Sequence, residues 1–277
     1  MAKRIVCLKW VHSSSVINNF INDPCYYSYI LNKYSALITI CPDMEQSCKD
    51  AFNQLGIRGE TIYSIFNPIN LEAIHNNECL ETEIESDIQK LQESFILQVA
   101  RLEERQKNHL ELIEIYARLK QLGIKEKLYI IGDGSSKQQL QDKINELELT
   151  EECLLLGERK NPFIFMKYAK LFLHTANYEG LPTVFIESMA CGTPVIAYNC
   201  PTGPKDILEN GKYGILIPMG DQDLFVEKAH ELLTDESKLN HYKRLLPESV
   251  QRFSFDVIGQ QFLDLLENEF KKKEIVI

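Results

Sequence analysis

Short apolar runs alternate with longer helical patterns through most of this 277-residue chain, and that alternation restricts its fold more than any other feature. From residue 95 onward, FILQVA, KLYIIG, CLLLG, LFLHT, TPVIAY and GILIP have the length and composition of buried strands. Helical patterns lie between them, including 106–122, 136–147 and 182–191. Strands that alternate with helices form parallel sheets covered on both faces. We therefore predict one complete α/β domain over residues 95–252.

Residues 1–70 repeat the pattern with fewer strands. RIVCLKWV, ALITI and TIYSIF are strand-like, and a helical stretch separates the last two. Three strands are few for a doubly wound sheet, so we interpret this part as a partial first domain. The polar, acid-rich segment 71–94 is predicted to be an interdomain linker with a short helix. Residues 253–277 are predicted to form a C-terminal helix with a basic tail.

Composition and charge exclude several classes of function. The formal net charge of -10 argues against nucleic acid as a partner, because binding its phosphates requires a basic face. The 8 cysteines are scattered and form no Cys-x-x-Cys, so neither a disulfide framework nor a zinc site is expected. With no apolar run of membrane-spanning length and no secretory signal at the start, we expect a cytoplasmic protein. The cluster Lys271 to Lys273 fits a helix C-terminus, and peripheral membrane contact is the less favoured alternative.

Ligands of open parallel sheets bind beyond the carboxyl ends of the strands, so the turns that follow the strands are candidate sites. Arg101 and Lys107 follow FILQVA, and two cations at a strand end can hold a diphosphate and offset charge on a leaving group. On this stretch alone, a solvated loop with salt bridges to Glu103 and Glu104 is the favoured alternative. A helix start after Gly132 could bind an anion, but the glycine fingerprint is incomplete and a plain tight turn is favoured.

Two acids flank a Gly-Leu-Pro turn after LFLHT. Pro182 suits the first position of a helix, which therefore begins there with free amides. Glu179 precedes this helix, where an acid is often only a partner of the helix dipole. Glu187 lies inside a mostly apolar helix, where a carboxylate needs a partner. The vicinal hydroxyls of a sugar could be that partner.

Two further polar features have simpler interpretations. Asp221 and Asp223 form an Asp-x-Asp that could chelate a metal, but the sequence favours an N-cap and an acidic first turn, and no metal site is predicted. His12 ends the strand CLKWVH and precedes three serines. It is either structural, which a lone histidine more often is, or a general base or substrate contact.

Taken together, four segments resemble the C-terminal domain of a retaining glycosyltransferase of the GT-B fold, family 4 (glycosyl transferases group 1). They are VARLEERQKNH, LYIIGDGSSKQQL, the block from LLGERKN to GTPVIA, and CPTGPKDILENGKYGIL, which cover about residues 95–235 in the family's order and spacing. The resemblance implies a complete C-terminal Rossmann-like parallel-sheet domain preceded by a partial N-terminal Rossmann-like domain. The stretch around KNPFIFMKYAKLFLHT is similar to members that build bacterial surface polysaccharides and lipid-linked oligosaccharides.

The resemblance assigns a role to each matching position. Arg101 and Lys107 would bind the donor diphosphate, Glu187 the ribose hydroxyls, and Glu179 the hydroxyls of the transferred sugar. His12 would take the place of a histidine that contacts the donor sugar. The other residues expected to bind the donor lie in three loops: Gly132, Gly134, Arg159, Lys160, Asn161, Gly180, Leu181, Thr183 and Val184.

The implied reaction transfers a sugar from a nucleotide-sugar, most naturally a UDP-sugar, to a glycan or polyprenyl-linked acceptor with retention, without a cofactor or bound metal. Ala176 and Asp206 depart from the family's usual serine and longer acid. No Gly-rich loop precedes RIVCLKWVH, so the N-terminal domain is expected to be incomplete. A nucleotide-sugar-binding fragment or partner subunit without turnover is therefore the alternative. An NAD-dependent oxidoreductase is disfavoured by the incomplete glycine fingerprint.

Overall fold

The computed structural model describes residues 6–12, 14–23, 29, 31, 33–57, 61–77 and 85–275. The chain divides into two compact units, which are residues 1–69 with 252–277, and residues 70–251. Each unit is built on a parallel β-sheet, as the alternation of strands and helices predicts. In the described part of the chain, no helix combines the length and the apolar character needed to cross a membrane.

The helices and strands follow one another in the predicted alternation. In chain order they are β1 (Leu8–Val11), α1 (Ser14–Asn22), β2 (Ala36–Thr39), α2 (Pro42–Leu55), β3 (Ile62–Ser64), α3 (Leu71–Asn77), α4 (Glu85–Leu91), β4 (Phe95–Val99), α5 (Glu104–Lys107), α6 (His109–Gln121), β5 (Lys127–Ile131), α7 (Lys137–Glu146), β6 (Cys153–Gly157), α8 (Phe163–Tyr168), β7 (Phe172–His174), α9 (Thr183–Ala190), β8 (Val195–Tyr198), α10 (Pro204–Ile207), a 3₁₀ helix (Glu209–Gly211), β9 (Ile215–Ile217), α11 (Gln222–Thr234), α12 (Glu236–Gln251) and α13 (Phe255–Ile275).

The first unit is a three-stranded parallel sheet with the final helix of the chain packed against it. The strand order is β1–β2–β3, and β2 is buried along its whole length. Ile38 and Ile65 from the sheet side form one apolar cluster with Ile258 and Leu265 of α13. The segment predicted as a separate C-terminal helix and tail thus packs within the first unit, because its apolar face covers this sheet.

The second unit contains a six-stranded parallel sheet in the order β6–β5–β4–β7–β8–β9. Its six strands are the six apolar runs predicted from the sequence, which confirms that part of the prediction. The central strands β4 and β8 are almost entirely buried, as expected for strands with helices on both faces. The strand order changes direction at β4, which pairs with β5 on one side and β7 on the other.

The segment predicted as a linker contributes two helices to the second unit. These are α3 and α4, and Ile74 of α3 and Asp87 of α4 are buried there. Residues 78–84, between them, lie outside the described residues. The acid-rich composition of this segment concealed the few side chains that dock, and the predicted domain boundaries themselves stay a prediction.

Glycines let the loops after β4 and β5 pack backbone against backbone. A Cβ on Gly132 would lie 1.9 Å from the carbonyl oxygen of Ala100, and one on Gly134 would lie 2.5 Å from that of Leu102. The amide of Ala100 donates to the carbonyl of Ile131 (3.0 Å), and the amide of Leu102 donates to that of Asp133 (3.0 Å). These contacts fix the backbone on both sides of Arg101.

We expect Gly132→Ala to lower the free energy of unfolding by about 3 kcal/mol or more, because the new Cβ would displace the loop after β4. Gly123→Ala is the matched control. Both glycines have positive φ (146° and 89°), but an added Cβ on Gly123 meets no atom within 4 Å, so only the backbone strain of about 1 kcal/mol applies. Urea unfolding followed by circular dichroism measures both values, and equal losses would contradict the packing argument.

Candidate functional site

The carboxyl ends of β4 and β7 bring two predicted site residues into direct contact. Lys107 ends the short helix α5 that follows β4, and Glu179 lies in the loop after β7. The Lys107 Nζ is 2.5 Å from Oε1 of Glu179. Adjacent parallel strands whose connections leave in opposite directions open a crevice at this edge of a sheet. The sequence predicted both residues at strand ends, but it did not predict that they pair with each other.

Glu179 is a buried carboxylate with several donors. Its side chain is 7% exposed, and Oε1 also accepts a hydrogen bond from Nε2 of His174 at 2.8 Å. The amide nitrogen of Gln106 lies 3.5 Å from Oε2. Burial alone would raise the pKa of Glu179, but the hydrogen bond from His174, together with the Lys107 ammonium, outweighs burial and lowers the pKa. Glu179 is therefore ionised at neutral pH.

His174 is the last residue of β7 and is almost completely buried, at 1% exposure. Burial lowers its pKa, and Lys107 acts in the same direction, although Glu179 opposes both. The ring is therefore neutral at pH 7, and its contact with a carboxylate requires the proton on Nε2. Nδ1 is then an acceptor, and the amide nitrogen of Gln98 lies 3.4 Å from it.

A second loop braces the backbone at Glu179. The Thr202 hydroxyl donates a hydrogen bond to the Glu179 carbonyl, and Thr202 has a φ of 61°. A Cβ on Gly203 would lie 2.6 Å from the Gly180 carbonyl oxygen, so only glycine allows this close packing. The CPTGP segment that follows β8 therefore supports the turn that carries Glu179.

Arg101 is exposed on the loop after β4, and its Nη2 donates to Oε1 of Gln106 at 3.2 Å. His109 fixes the backbone of this residue, because its Nε2 lies 3.0 Å from the Arg101 carbonyl oxygen. His109 is fully buried, and burial lowers its pKa to about 4. Glu103 and Glu104, the salt-bridge partners considered from the sequence, accept instead from the Ser135 hydroxyl and the Leu110 amide.

Glu187 lies in α9, whose neighbouring side chains Phe185, Ile186 and Met189 are buried. Burial raises the pKa of Glu187, and a hydrogen bond from the Thr183 hydroxyl partly opposes this. The helix begins at Thr183, one residue later than predicted, because Pro182 has a ψ of 82° that lies outside the helical range. The amide of Thr183 donates to the Leu181 carbonyl (2.8 Å).

The loop at 158–161 is tied to the segment that the sequence indicated as a linker. Arg159 forms a bidentate salt bridge with the fully buried Asp87 of α4, with Nε–Oδ2 and Nη2–Oδ1 distances of 2.7 and 3.1 Å. The Asn161 side chain donates to the Asn77 carbonyl at the end of α3 (2.8 Å). Lys160 between them is exposed. Arg159 and Asn161 thus hold the loop in place, and their role as donor contacts stays a prediction.

The other sequence candidates have clear positions. His12 follows β1 in the first unit, where its exposed ring stacks on Trp10 with 5.8 Å between centroids. Asp221 caps α11 by accepting from the Leu224 amide (3.0 Å), which confirms the N-cap interpretation. Within the ranges that the structure describes, no group of three or more His, Cys, Asp or Glu side chains could hold a metal ion.

Sequence reasoning missed several residues that shape this site, and all of them act through other residues. The sequence feature that could have identified them is a polar residue in an otherwise apolar strand, as in Gln98 of FILQVA and His174 of LFLHT. Buried polar side chains need partners, so both positions indicated a network rather than core packing. Asp87 and Thr202 gave no comparable signal, because their partners are far away in sequence.

The pair of Asp87 with Arg159 predicts a large loss of stability when one partner is removed. Asp87→Asn leaves the guanidinium, with its low exposure, without its counterion, so we expect about 3 kcal/mol of destabilisation. Asp223→Asn is the control, because its salt bridge with Arg118 is largely exposed and should contribute less than about 1 kcal/mol. Chemical denaturation of both variants provides the comparison, and similar losses would show that the Asp87 pair is not structural.

The neutral, buried His109 predicts a pH-dependent stability. Its pKa of about 4 in the folded state lies below the ordinary value of 6.5, so the unfolded chain takes up the proton first. Stability should therefore fall as pH drops from about 6.5 towards 4. His109→Gln keeps an N–H for the Arg101 carbonyl but cannot titrate. Between pH 7 and 4.5, the parent should lose about 2 kcal/mol more unfolding free energy than this variant. Equal losses would be inconsistent with a neutral His109.

Residues 81–252 match the family described as glycosyl transferases group 1. Among curated relatives, N-acetylgalactosamine-N,N'-diacetylbacillosaminyl-diphospho-undecaprenol 4-alpha-N-acetylgalactosaminyltransferase of Campylobacter jejuni is 31% identical over 227 residues, which is 82% of this chain and 59% of the relative. Lipopolysaccharide 1,6-galactosyltransferase of Salmonella typhimurium is 27% identical over 215 residues, which is 76% of this chain and 56% of the relative. The alignments thus span little more than half the length of these relatives.

Two solved structures have a fold similar to that of this chain. Anabaena Alr3699/HepE in complex with UDP and glucose has a TM-score of 0.76 and 21% identity, and the match covers 95% of this chain and 72% of that one. The lipopolysaccharide outer core galactosyltransferase WaaB has a TM-score of 0.71 and 22% identity, with coverage of 98% and 69%. This likeness confirms the predicted GT-B class of α/β fold with Rossmann-like parallel sheets. By the extent of its family match and by its identity with the Campylobacter relative, the chain belongs to the glycosyl transferases group 1 family.

Proposed function

We propose that the second unit binds a UDP-sugar and that the chain serves transfer of that sugar to an acceptor, with retention, as in family 4. The observation that carries this proposal is the contact of Lys107 with Glu179 at the edge of the sheet where β4 and β7 end. A cation for phosphate and a carboxylate for hydroxyls then lie side by side, which suits the junction between the diphosphate and the sugar of the donor. UDP and glucose are named in the complex of the neighbour HepE, which supports this choice of ligand.

Four of the predicted residues have a definite chemical task in this proposal. Lys107 and Arg101 bind the diphosphate and stabilise the negative charge that develops as the nucleoside diphosphate leaves. Glu179, held ionised, accepts hydrogen bonds from hydroxyls of the transferred sugar. Glu187 accepts from the ribose hydroxyls, which would add to the hydrogen bond that it receives from the Thr183 hydroxyl in its mostly apolar helix. The acceptor hydroxyl attacks from the face that the leaving group vacates, the bond between the sugar and the diphosphate breaks, and the hydroxyl proton passes to the departing diphosphate. The configuration is therefore retained, and these residues need no metal or cofactor.

The acceptor is proposed to be a glycan or a polyprenyl-linked saccharide. The names of the Campylobacter and Salmonella relatives specify an undecaprenol-linked substrate and lipopolysaccharide, respectively. We therefore place the reaction in bacterial surface polysaccharide or lipid-linked oligosaccharide synthesis, in the cytoplasm or at the inner face of the membrane. His12 of the first unit is proposed to contact the donor sugar.

The second candidate function is that of a fragment or partner subunit that binds a nucleotide-sugar but does not catalyse sugar transfer. The predicted donor residues other than His12 lie in the second unit, so this candidate predicts donor binding without transfer.

Calorimetric titration with UDP, UDP-sugars, GDP and NAD shows which nucleotide the protein binds. EDTA is present in each titration, so that binding without a metal ion is tested at the same time. Selective binding of UDP and at least one UDP-sugar is expected. Hydrolysis or transfer that disappears in Arg101→Ala or Lys107→Ala would favour the enzyme over the fragment or partner subunit. Preferential binding of NAD, or no binding of any nucleotide, would overturn the proposed donor.

Two acid variants separate the ribose end of the donor from the sugar end. Glu187→Ala should weaken UDP binding about tenfold, because a buried hydrogen bond to a charged group is lost. Glu179→Ala should reduce the preference for a UDP-sugar over UDP while changing UDP affinity less. Glu227→Ala, at an exposed position of α11, is the control and should bind like the parent. If both acid variants bind UDP and UDP-sugar like the parent, the assigned roles are wrong.

A further inference from the structure

The ammonium group of Lys107 has two partners at this site. Lys107 lies 2.5 Å from Glu179 in the structure, whereas the proposed function places the same ammonium on the donor diphosphate. When the diphosphate draws Lys107 away, Glu179 loses part of its stabilisation and gains negative charge nearby, and both effects favour its protonation. A protonated carboxyl accepts fewer hydrogen bonds from sugar hydroxyls. A second donor must therefore hold Glu179 once the donor substrate is bound.

We propose that His174 is that donor, a positioning residue that keeps Glu179 ionised and in place while Lys107 exchanges between Glu179 and the diphosphate. The inference rests on the proposed function, since it concerns the same donor site. His174 is buried and does not contact the substrate in this proposal. It acts through the hydrogen bond of 2.8 Å from its Nε2 to Oε1 of Glu179.

The packing around His174 prevents its ring from turning away. The ring lies edge-to-face with Phe185, with 4.9 Å between centroids, and it stacks against Phe172 at 6.3 Å. Gln98 lies 3.4 Å from Nδ1 on the side opposite Glu179. Lysine, by contrast, has a flexible four-carbon stem that lets its ammonium move between partners. The two donors on Oε1 of Glu179 thus differ in kind, because His174 is fixed and Lys107 can move.

The charge state of His174 fits a permanent donor. The titratable and charged groups around it are Glu179 in the loop after β7, Lys107 in α5 and His109 in α6. Burial and Lys107 both favour the neutral ring, in which Nε2 carries a proton that the carboxylate accepts. A neutral donor holds Glu179 without adding a positive charge that would attract the diphosphate away from Lys107.

Titration of Glu179 in the full chain without ligand tests the inference directly. Carbon-13 NMR of labelled glutamate carboxyls, assigned with Glu179→Gln, gives its pKa in each variant. Lys107→Met imitates removal of the ammonium by the donor and should leave Glu179 ionised at pH 7. The second substitution, His174→Leu, removes the N–H and puts an apolar side chain in its place. Combined with Lys107→Met, it should raise the pKa of Glu179 by about one further pH unit.

Two further measurements keep the inference falsifiable if His174→Leu folds poorly. His174→Gln provides an N–H from a terminal amide and should return the pKa of Glu179 most of the way to the Lys107→Met value. Nitrogen-15 NMR of the unaltered protein should show His174 neutral with its proton on Nε2 at pH 7. A protonated ring, a proton on Nδ1, or equal pKa values of Glu179 in the leucine and glutamine variants would overturn the inference.

Binding measurements separate this inference from the proposed function. His174→Leu should reduce the preference for a UDP-sugar over UDP about tenfold, with UDP affinity within about twofold of the parent. His174→Gln should restore most of that preference, and His241→Leu, an exposed histidine of α12, is the control. Absence of UDP-sugar binding by the parent would defeat the proposed function, while the NMR titrations still decide the role of His174. If His174→Leu keeps the full preference for a UDP-sugar over UDP, the inference is overturned and the proposed function is not affected.

Discussion

The buried carboxylate of Glu179 is the group on which the organisation of this site depends. An ionised acid at 7% exposure requires donors, and it has them in Lys107 after β4 and His174 at the end of β7. These donors come from neighbouring strands, so the carboxylate joins the two elements between which the sheet changes direction. Its own backbone is braced in turn by Thr202 in the loop after β8. Through its carboxylate and its backbone carbonyl, Glu179 therefore links the loops that follow β4, β7 and β8.

Close backbone packing provides the rigid base for this arrangement. The loop that carries Arg101 lies against two glycines of the next loop and accepts a hydrogen bond from the buried His109. For the loop of Gly132 and Gly134, the sequence favoured a plain tight turn over an anion-binding turn, and in the structure the carbonyls of Ala100 and Leu102 occupy the space left by the missing side chains. Their direct effect is to position the loop of Arg101, so any effect on a bound phosphate would act through that loop.

The sequence predicted the sheet of the second unit well, because fully buried parallel strands appear as uninterrupted apolar runs. It also placed the acids and cations of the site at strand ends, because spacing along the chain determines that position. It could not show that Lys107 pairs with Glu179 or Arg159 with Asp87, because each pair is separated by 72 residues and depends on tertiary packing. For the same reason the sequence indicated only one short helix in the acid-rich segment that forms α3 and α4, and it did not show that a few side chains of these helices pack in the second unit.

The Lys107–Glu179 and Arg159–Asp87 ion pairs of the second unit have different consequences because their cations differ. Arg159 grips Asp87 through two parallel hydrogen bonds and also donates to the carbonyls of Leu156 and Glu158, so its guanidinium is fully committed to holding one loop. Lys107 offers a compact charge on a flexible stem to one oxygen of Glu179, and that oxygen already has a second donor in His174. Moving Lys107 away therefore leaves no buried carboxylate without a partner, whereas moving Arg159 away would leave Asp87 with only the more distant Lys90 at 3.6 Å among the contacts described. The Lys107 pair is thus the one suited to exchange with a ligand, and the Arg159 pair is suited to holding the loop beside it.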